Sequence, residues 1–440
     1  MSTKKRWAIV ALTFVVVVIV AGLATILRIP EPQLSDSLAQ RQPDVVRGEY
    51  IAKLGDCAAC HTVSGGKAFA GGLPFATPVG TIYSTNITPD QARGIGAYSL
   101  KDFVRAMRFG VKPDGTRLYP AMPYPAYAKV SDEDLQDLFA YFMKGVEPEP
   151  VDPPQTAMIF PFNQRWGMAL WNFAFADTRR FVPDSKASAE FNRGAYLVEG
   201  LAHCGSCHTP RGLAFQEKSM DASSASFMAG GELNGWLAPS LRSQTSASRG
   251  FATWSEAEIV DYLGTGRNAH AAVGGEMKLA VEHSLAYLTD ADLRAITIYL
   301  KGIAIKASLV PPSTSKASAT AAKLTAARDL TLGERLYLDN CGACHFVSGR
   351  GAARVFPSID GASIVNAENP TGLIVTILAG AATPSTARSP SILPMPGYAY
   401  RLSDEEVAEL ASFVRSGWTN HASAVTAKQV ADIRAKLGSH

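Results

Sequence analysis

Cysteine is scarce, net charge is small and no glycine-rich nucleotide loop is present, and each shortage closes off a class of function. The 440 residues include six cysteines, all inside one repeated five-residue phrase, so none is left over for a disulfide framework. The net charge is +3, and Lys4, Lys5 and Arg6 alone account for a like amount. The remainder is near neutral and offers nucleic acid no basic surface. No flavin site or quinoprotein repeat occurs either, so any cofactor that oxidises a substrate belongs to another chain.

Charge is missing altogether from Trp7 to Leu27, a run of 21 residues. A helix of about 20 apolar residues spans a hydrocarbon core, so residues 1–30 are expected to form a transmembrane anchor. A cleaved secretory signal has an apolar core of only ~7 to 15 residues that ends at a small-residue site. Gly22-Leu23-Ala24 is a poor version of that site, and Thr25-Ile26-Leu27 continues apolar beyond it, which favours a retained span. The basic cluster ahead of the span holds the N-terminus in the cytoplasm and sends everything after Arg28 to the far side, the periplasm of a bacterial inner membrane.

The six cysteines spell Cys57-Ala-Ala-Cys60-His61, Cys204-Gly-Ser-Cys207-His208 and Cys341-Gly-Ala-Cys344-His345. One C-x-x-C alone would suit a redox disulfide or half a zinc site. Three copies, each followed at once by His, match c-type haem attachment. Cys57, Cys60, Cys204, Cys207, Cys341 and Cys344 would form thioethers to three haems, and His61, His208 and His345 would be the proximal iron ligands. Periplasmic domains agree with this, because bacteria attach such haems there.

The motifs punctuate a repeat. Arg47-Gly-Glu-Tyr50, Arg193-Gly-Ala-Tyr196 and Leu332-Gly-Glu-Arg-Leu-Tyr337 lead into them and read as short helices. Glycine costs a helix about 1 kcal/mol against alanine, so its recurrence predicts close approach by another helix. That helix closes each repeat, over Ser131–Tyr141, Thr289–Tyr299 and Ser403–Phe413. Each opens with a hydroxyl N-cap and acids in its first turn and is expected to stop at Gly145, Gly302 or Gly417. A further helix is expected at Leu100–Phe109, Glu256–Leu263 and Pro370–Leu378. The fold class is all-α: three tandem haem domains after the N-terminal span.

The domains are placed at 45–147, 189–305 and 329–420. Between the first two lies a linker, 148–188, which begins within an acid- and proline-rich connector at Val146–Pro154 and holds an aromatic segment, Met158–Phe175. That segment is too short and interrupted to span a bilayer and reads as a packed helix, with Arg165, Trp166 and Trp171 the candidates for quinone or partner contact. The linker at 306–328, rich in Ala, Ser and Thr, reads as a flexible spacer with some helix. The tail, 421–440, carries Val430, Ile433 and Leu437 on one helical face and reads as a packing helix. Asn86-Ile-Thr88 matches a glycosylation acceptor but is read as loop chemistry.

The sixth iron position separates electron transfer from ligand chemistry. Met122 in Pro120-Ala-Met-Pro123 and Met395 in Pro394-Met-Pro396 lie late in their repeats, with prolines that stiffen the backbone. Met277 in Gly274-Gly-Glu-Met277 lacks prolines and has His270 and His283 nearby; it is assigned as the ligand, with His283 the alternative. Met107, Met143 and Met168 fit core positions, His203 is too near Cys204 to reach the opposite haem face, and His421 and His440 fit an ordinary tail. With His and Met on every iron no position is open to substrate, and one-electron relay is the expected activity.

Gly55–His61, Phe69-Ala-Gly-Gly72, Thr81–Asp90, Tyr119–Tyr124, Phe162–Trp166 and His203–Arg211 together resemble the three-haem cytochrome c subunit of membrane-bound bacterial dehydrogenases, over nearly all of 45–420. The resemblance implies three cytochrome c-like domains and a catalytic partner that is a molybdenum/iron-sulfur, quinoprotein or flavoprotein dehydrogenase. It also implies electron delivery to ubiquinone, with His61 and Met122, His208 and Met277, and His345 and Met395 on the irons. The retained span looks more like the subunit of aldehyde dehydrogenases than of alcohol or gluconate dehydrogenases. Two other readings are a haem peroxidase, which needs one displaceable sixth ligand, and an electron-delivery module for a terminal oxidase.

Overall fold

The computed structural model describes residues 3–233, 235–242, 251, 253–304 and 314–437. Its contacts gather into two compact units. One comprises Met1–Ala52, Cys60–Val182 and Gly212–Gln216; the other comprises Lys53–Ala59, Pro183–Arg211 and Glu217–His440.

In the first unit, Ser99 and Ser131 accept hydrogen bonds from the backbone N–H groups of Asp102 and Asp134 and so start the helices Leu100–Phe109 and Asp132–Lys144. The lead-in helix Val45–Leu54 meets the closing helix at Gly48, where a Cβ would come within 2.8 Å of the Cβ of Tyr141. Arg47 beside that glycine pairs with Asp134 and Asp137 of the closing helix, and Arg41 donates to Asp137 at 2.6 Å. The same joint recurs twice in the second unit. A Cβ on Gly194 would lie 2.7 Å from that of Tyr299, and one on Gly333 would lie 2.9 Å from that of Phe413. Arg193 grips Asp292 with two hydrogen bonds of 2.8 and 2.9 Å. The recurring helix glycine is thus a contact point, and close packing of two helices offsets its propensity cost.

The second unit also holds the helices Glu256–Thr265 and Asp290–Ile303 of the second repeat and Thr371–Ala379 and Asp404–Ser416 of the third. The core of the third repeat is built from Tyr337, Ile374, Leu378, Val407, Leu410 and Trp418, with Val430 and Ile433 of the C-terminal helix Ala427–Leu437 buried in it. The tail therefore packs, as its one-sided pattern predicts.

Several expectations change. The fold is mostly helical rather than purely so: Pro74–Thr77, Gly80–Tyr83 and Ala157–Met158 form a three-stranded antiparallel sheet, and two hairpin pairs lie in the other unit. The closing helix of the second repeat runs past Gly302 to Ile303, because the missing Cβ of Gly302 leaves room for the Phe191 ring. The described part of the spacer is a helix, Thr314–Ala326, tied to the third repeat by buried Leu324 and by Lys323 on Glu334 at 2.6 Å; residues 305–313 lie outside the described residues. The apolar N-terminal run is a helix, Thr3–Leu27. Contrary to the expected transmembrane anchor, among the described residues no helix is long and apolar enough to cross a membrane.

Candidate functional site

Each motif ends a short helix, Cys57–His61, Gly205–His208 or Gly342–His345, with the histidine at the last position. After each, the chain returns to the histidine twice. The His61, His208 and His345 carbonyls accept the N–H of Gly71, Gly230 and Gly351 at 2.7, 2.8 and 3.2 Å. These glycines sit at φ of 75°, 97° and 59°, a region that side chains avoid. The imidazole Nδ1 atoms then face the carbonyls of Thr85, Pro239 and Pro357 at 2.6, 2.9 and 2.9 Å.

A carbonyl only accepts, so Nδ1 must carry the proton and the ring's lone pair is left on Nε2. Such a partner on one ring nitrogen is what fixes a metal-ligating histidine in tautomer and orientation. Burial pushes all three imidazoles below their ordinary pKa, against a smaller opposing effect of the carbonyl bond. Each is therefore neutral, the form that binds a metal.

Burial pushes Cys204 up to about 12, Cys207 to about 11 and Cys341 to about 12, the opposite of the depressed values that mark redox-active or metal-binding thiols. Among the described residues no group of three or more His, Cys, Asp or Glu side chains gathers to hold a metal ion. In the second motif, two quiet thiols beside one oriented imidazole suit an iron that arrives inside a porphyrin, held by two thioethers and one nitrogen.

Each methionine segment is braced differently. Met122 is half-buried between Tyr119 and Tyr124. Tyr119 Oη donates to the Phe162 carbonyl at 2.6 Å and Tyr124 Oη to Asn172 Oδ1 at 2.6 Å, while the Arg165 guanidinium lies 3.9 Å over the Tyr119 ring. Met395 lies in the strand Pro394–Met395, paired with Ala381–Ala382. Just beyond it, Tyr398 Oη donates at 2.5 Å to the carbonyl of Asn340, the residue before Cys341. Met277 lies in the first turn of the helix Glu276–His283, directly after Gly275. His283 is exposed at the far end of that helix, and His270 is exposed and engaged, with Nε2 2.8 Å from Glu258 and its ring stacked on Trp254.

Other residues singled out by sequence fall into place. Met107 is core. His203 is half-buried and bonds to the Gly55 carbonyl at 3.3 Å; His421 is exposed, and His440 lies outside the described residues. Asn86 is buried and its amide donates to the carbonyls of Glu149 and Val151, so it fastens the connector. The aromatic segment divides. Trp171 Nε1 donates to the Ala214 carbonyl at 2.8 Å, and Arg165 donates to the Arg117 carbonyl, whereas Trp166 is 61% exposed. The three carbonyls that orient the histidines lie 24, 31 and 12 residues after them, a spread that conceals them from any fixed motif.

A family model described as Cytochrome c matches residues 45–145 and 330–418. The gluconate 2-dehydrogenase cytochrome c subunit of Pantoea cypripedii is 42% identical over 95% of this chain and 94% of its own. The cytochrome c subunit of the quinone alcohol dehydrogenase of Gluconacetobacter polyoxogenes is 42% identical over 89% of this chain and 84% of its own. The fructose dehydrogenase cytochrome subunit of Gluconobacter japonicus is 37% identical over 92% and 85% respectively.

Proposed function

Because the chain belongs to the family of cytochrome c subunits of bacterial dehydrogenases, we propose that it binds three c-type haems and passes electrons from a catalytic dehydrogenase subunit to ubiquinone. The observation that carries this reading is the triple repetition of one arrangement, a neutral histidine whose Nδ1 is held by a backbone carbonyl at the end of a C-x-x-C-H helix.

The bound haems would supply one-electron chemistry at iron. The chain's own residues attach them through Cys57, Cys60, Cys204, Cys207, Cys341 and Cys344, aim Nε2 of His61, His208 and His345, and present Met122, Met277 and Met395 as sixth ligands. Engagement of His270 with Glu258 and exposure of His283 support Met277 in the second repeat. With every iron position taken by protein, the chain oxidises no substrate itself.

The run Trp7–Leu27 supports an N-terminal anchor in the inner membrane with the haem domains in the periplasm. Arg117 donates to the carbonyls of Leu27 and Arg28 at 3.2 and 3.1 Å and so secures the end of that helix. The relatives' names point to a partner that oxidises a hydroxyl compound, such as gluconate or an alcohol; a retained N-terminal span would favour an aldehyde instead.

Purification of the membrane complex in mild detergent tests all of this on one sample. A companion subunit, three haems per chain and haem reduction by an alcohol, sugar acid or aldehyde are expected, and reoxidation by added ubiquinone completes the relay. A chain that purifies alone and binds peroxide or carbon monoxide at one haem is instead a peroxidase.

A further inference from the structure

Met277 occupies the least stiffened of the three methionine segments, preceded by Gly274 and Gly275 with no proline beside it. What holds this turn is the indole of Trp236. Gly275 lies at φ 53°, and a Cβ there would fall inside contact with the ring, 2.7 Å from Cγ and 2.8 Å from Cε2; one on Gly274 would lie 3.6 Å from Cζ3. The ring therefore packs directly on the glycine backbone two residues before Met277. Gly372, in the helix Thr371–Ala379 of the third repeat, meets the same ring: a Cβ there would lie 3.1 Å from Cε3.

Trp236 also opens the strand Trp236–Ala238, which pairs with Gly231–Leu233. The residue after that strand, Pro239, accepts from His208 Nδ1 at 2.9 Å, and Gly230, just before the partner strand, donates to the His208 carbonyl at 2.8 Å. One hairpin thus reaches both the proximal histidine of the second repeat and the turn that carries its methionine. A thioether is a neutral, weak ligand, and freezing a glycine-rich turn to present it costs conformational entropy. A rigid aromatic plate on that turn meets the cost in advance.

We propose that Trp236 is the positioning residue for Met277 on the second haem iron, doing by packing what flanking prolines do for Met122 and Met395, a role that rests on Met277 being that ligand. Gly372 lets the third repeat bear on the same ring.

The test uses the full-length haem-loaded protein and reads two spectra: the far-red methionine-to-iron band of the oxidised form and carbon monoxide binding by the reduced form. Met277→Ala should remove one haem's share of the band and open one haem to carbon monoxide. Trp236→Ala and Gly275→Ala should do the same with haem content unchanged, Trp236→Phe should restore the band, and Gly372→Ala should reduce it in part. Should Met277→Ala remove the band while Trp236→Ala and Gly275→Ala both keep it, the positioning role is wrong and the ligand stands. Should Met277→Ala itself keep the band, the ligand assignment fails and the role with it. If Trp236→Ala does not accumulate, Gly275→Ala and Trp236→Phe carry the decision.

Discussion

Around Met122 the backbone is stiffened by Pro120 and Pro123, and two tyrosines, Tyr119 and Tyr124, bond it to the segment at 162–172. Around Met277 the backbone is loosened by Gly274 and Gly275, and a single indole presses on it. Both segments belong to repeats whose histidines are held alike, by a glycine N–H and a carbonyl. The lesson is that the proximal side of the repeat is uniform, while each distal side solves the same ordering problem with the residues it has. The aromatic segment, read from sequence as a packed helix with Arg165, Trp166 and Trp171 as contact candidates, spends Arg165 and Asn172 on bracing the first repeat and Trp171 on the Ala214 carbonyl. Of the three residues singled out there, Trp166 is the one still facing outward.

The comparison can be broken most severely at attachment. Cys204→Ser with Cys207→Ser should lower haem content by one per chain while leaving the first repeat loaded, as pyridine haemochrome analysis would show; unchanged content would mean that the second motif never carries haem. Gly194→Ala should come next. Its new Cβ meets the Ala295 carbonyl and Tyr299, and overpacking of this kind costs about 3 kcal/mol, read as a fall in unfolding midpoint.

Asp137 sharpens the contrast from the first repeat. Burial alone would raise this carboxyl, but hydrogen bonds from Arg41, the Asp44 N–H and Arg47 outweigh it and hold the group below the usual carboxylate range. A depressed carboxylate contributes stability above its unfolded pKa of about 3.9 and loses it as pH falls through the folded value. Asp137→Ala should therefore cost roughly 3 kcal/mol near neutrality and progressively less as pH falls below about 3.9, measured by denaturant unfolding across that range; a cost independent of pH would refute the charge-based account. The smallest effect is expected from Tyr124→Phe. Losing its bond to Asn172 should cost about 1 kcal/mol and leave the methionine-to-iron band intact, since the prolines remain; loss of the band would show that the tyrosines, not the prolines, order that loop.

Much of this was legible beforehand. Ser131, Thr289 and Ser403 start helices where their spacing from acids predicts, because capping is a contact between neighbours in sequence. Gly48, Gly194 and Gly333 were visible as contact points because a helix tolerates glycine only at a cost. Thr85, Pro239 and Pro357 were not, since nothing local marks a carbonyl that will meet a histidine many residues away. The spacer's helical part was read, but its docking was not, and neither was the extension of the second closing helix past Gly302: Glu334, which holds Lys323, and Phe191, which packs on Gly302, lie elsewhere in the chain.

Sequence by itself displayed the C-x-x-C-H phrase, its threefold repeat and the residues expected to attach haem, because two thiols and an imidazole within five residues are a local pattern whatever surrounds them. Tertiary structure alone decided which nitrogen each histidine offers and what steadies each methionine. Tautomer and loop order are set by partners that folding brings from afar, a carbonyl on Nδ1 and an indole on a glycine turn.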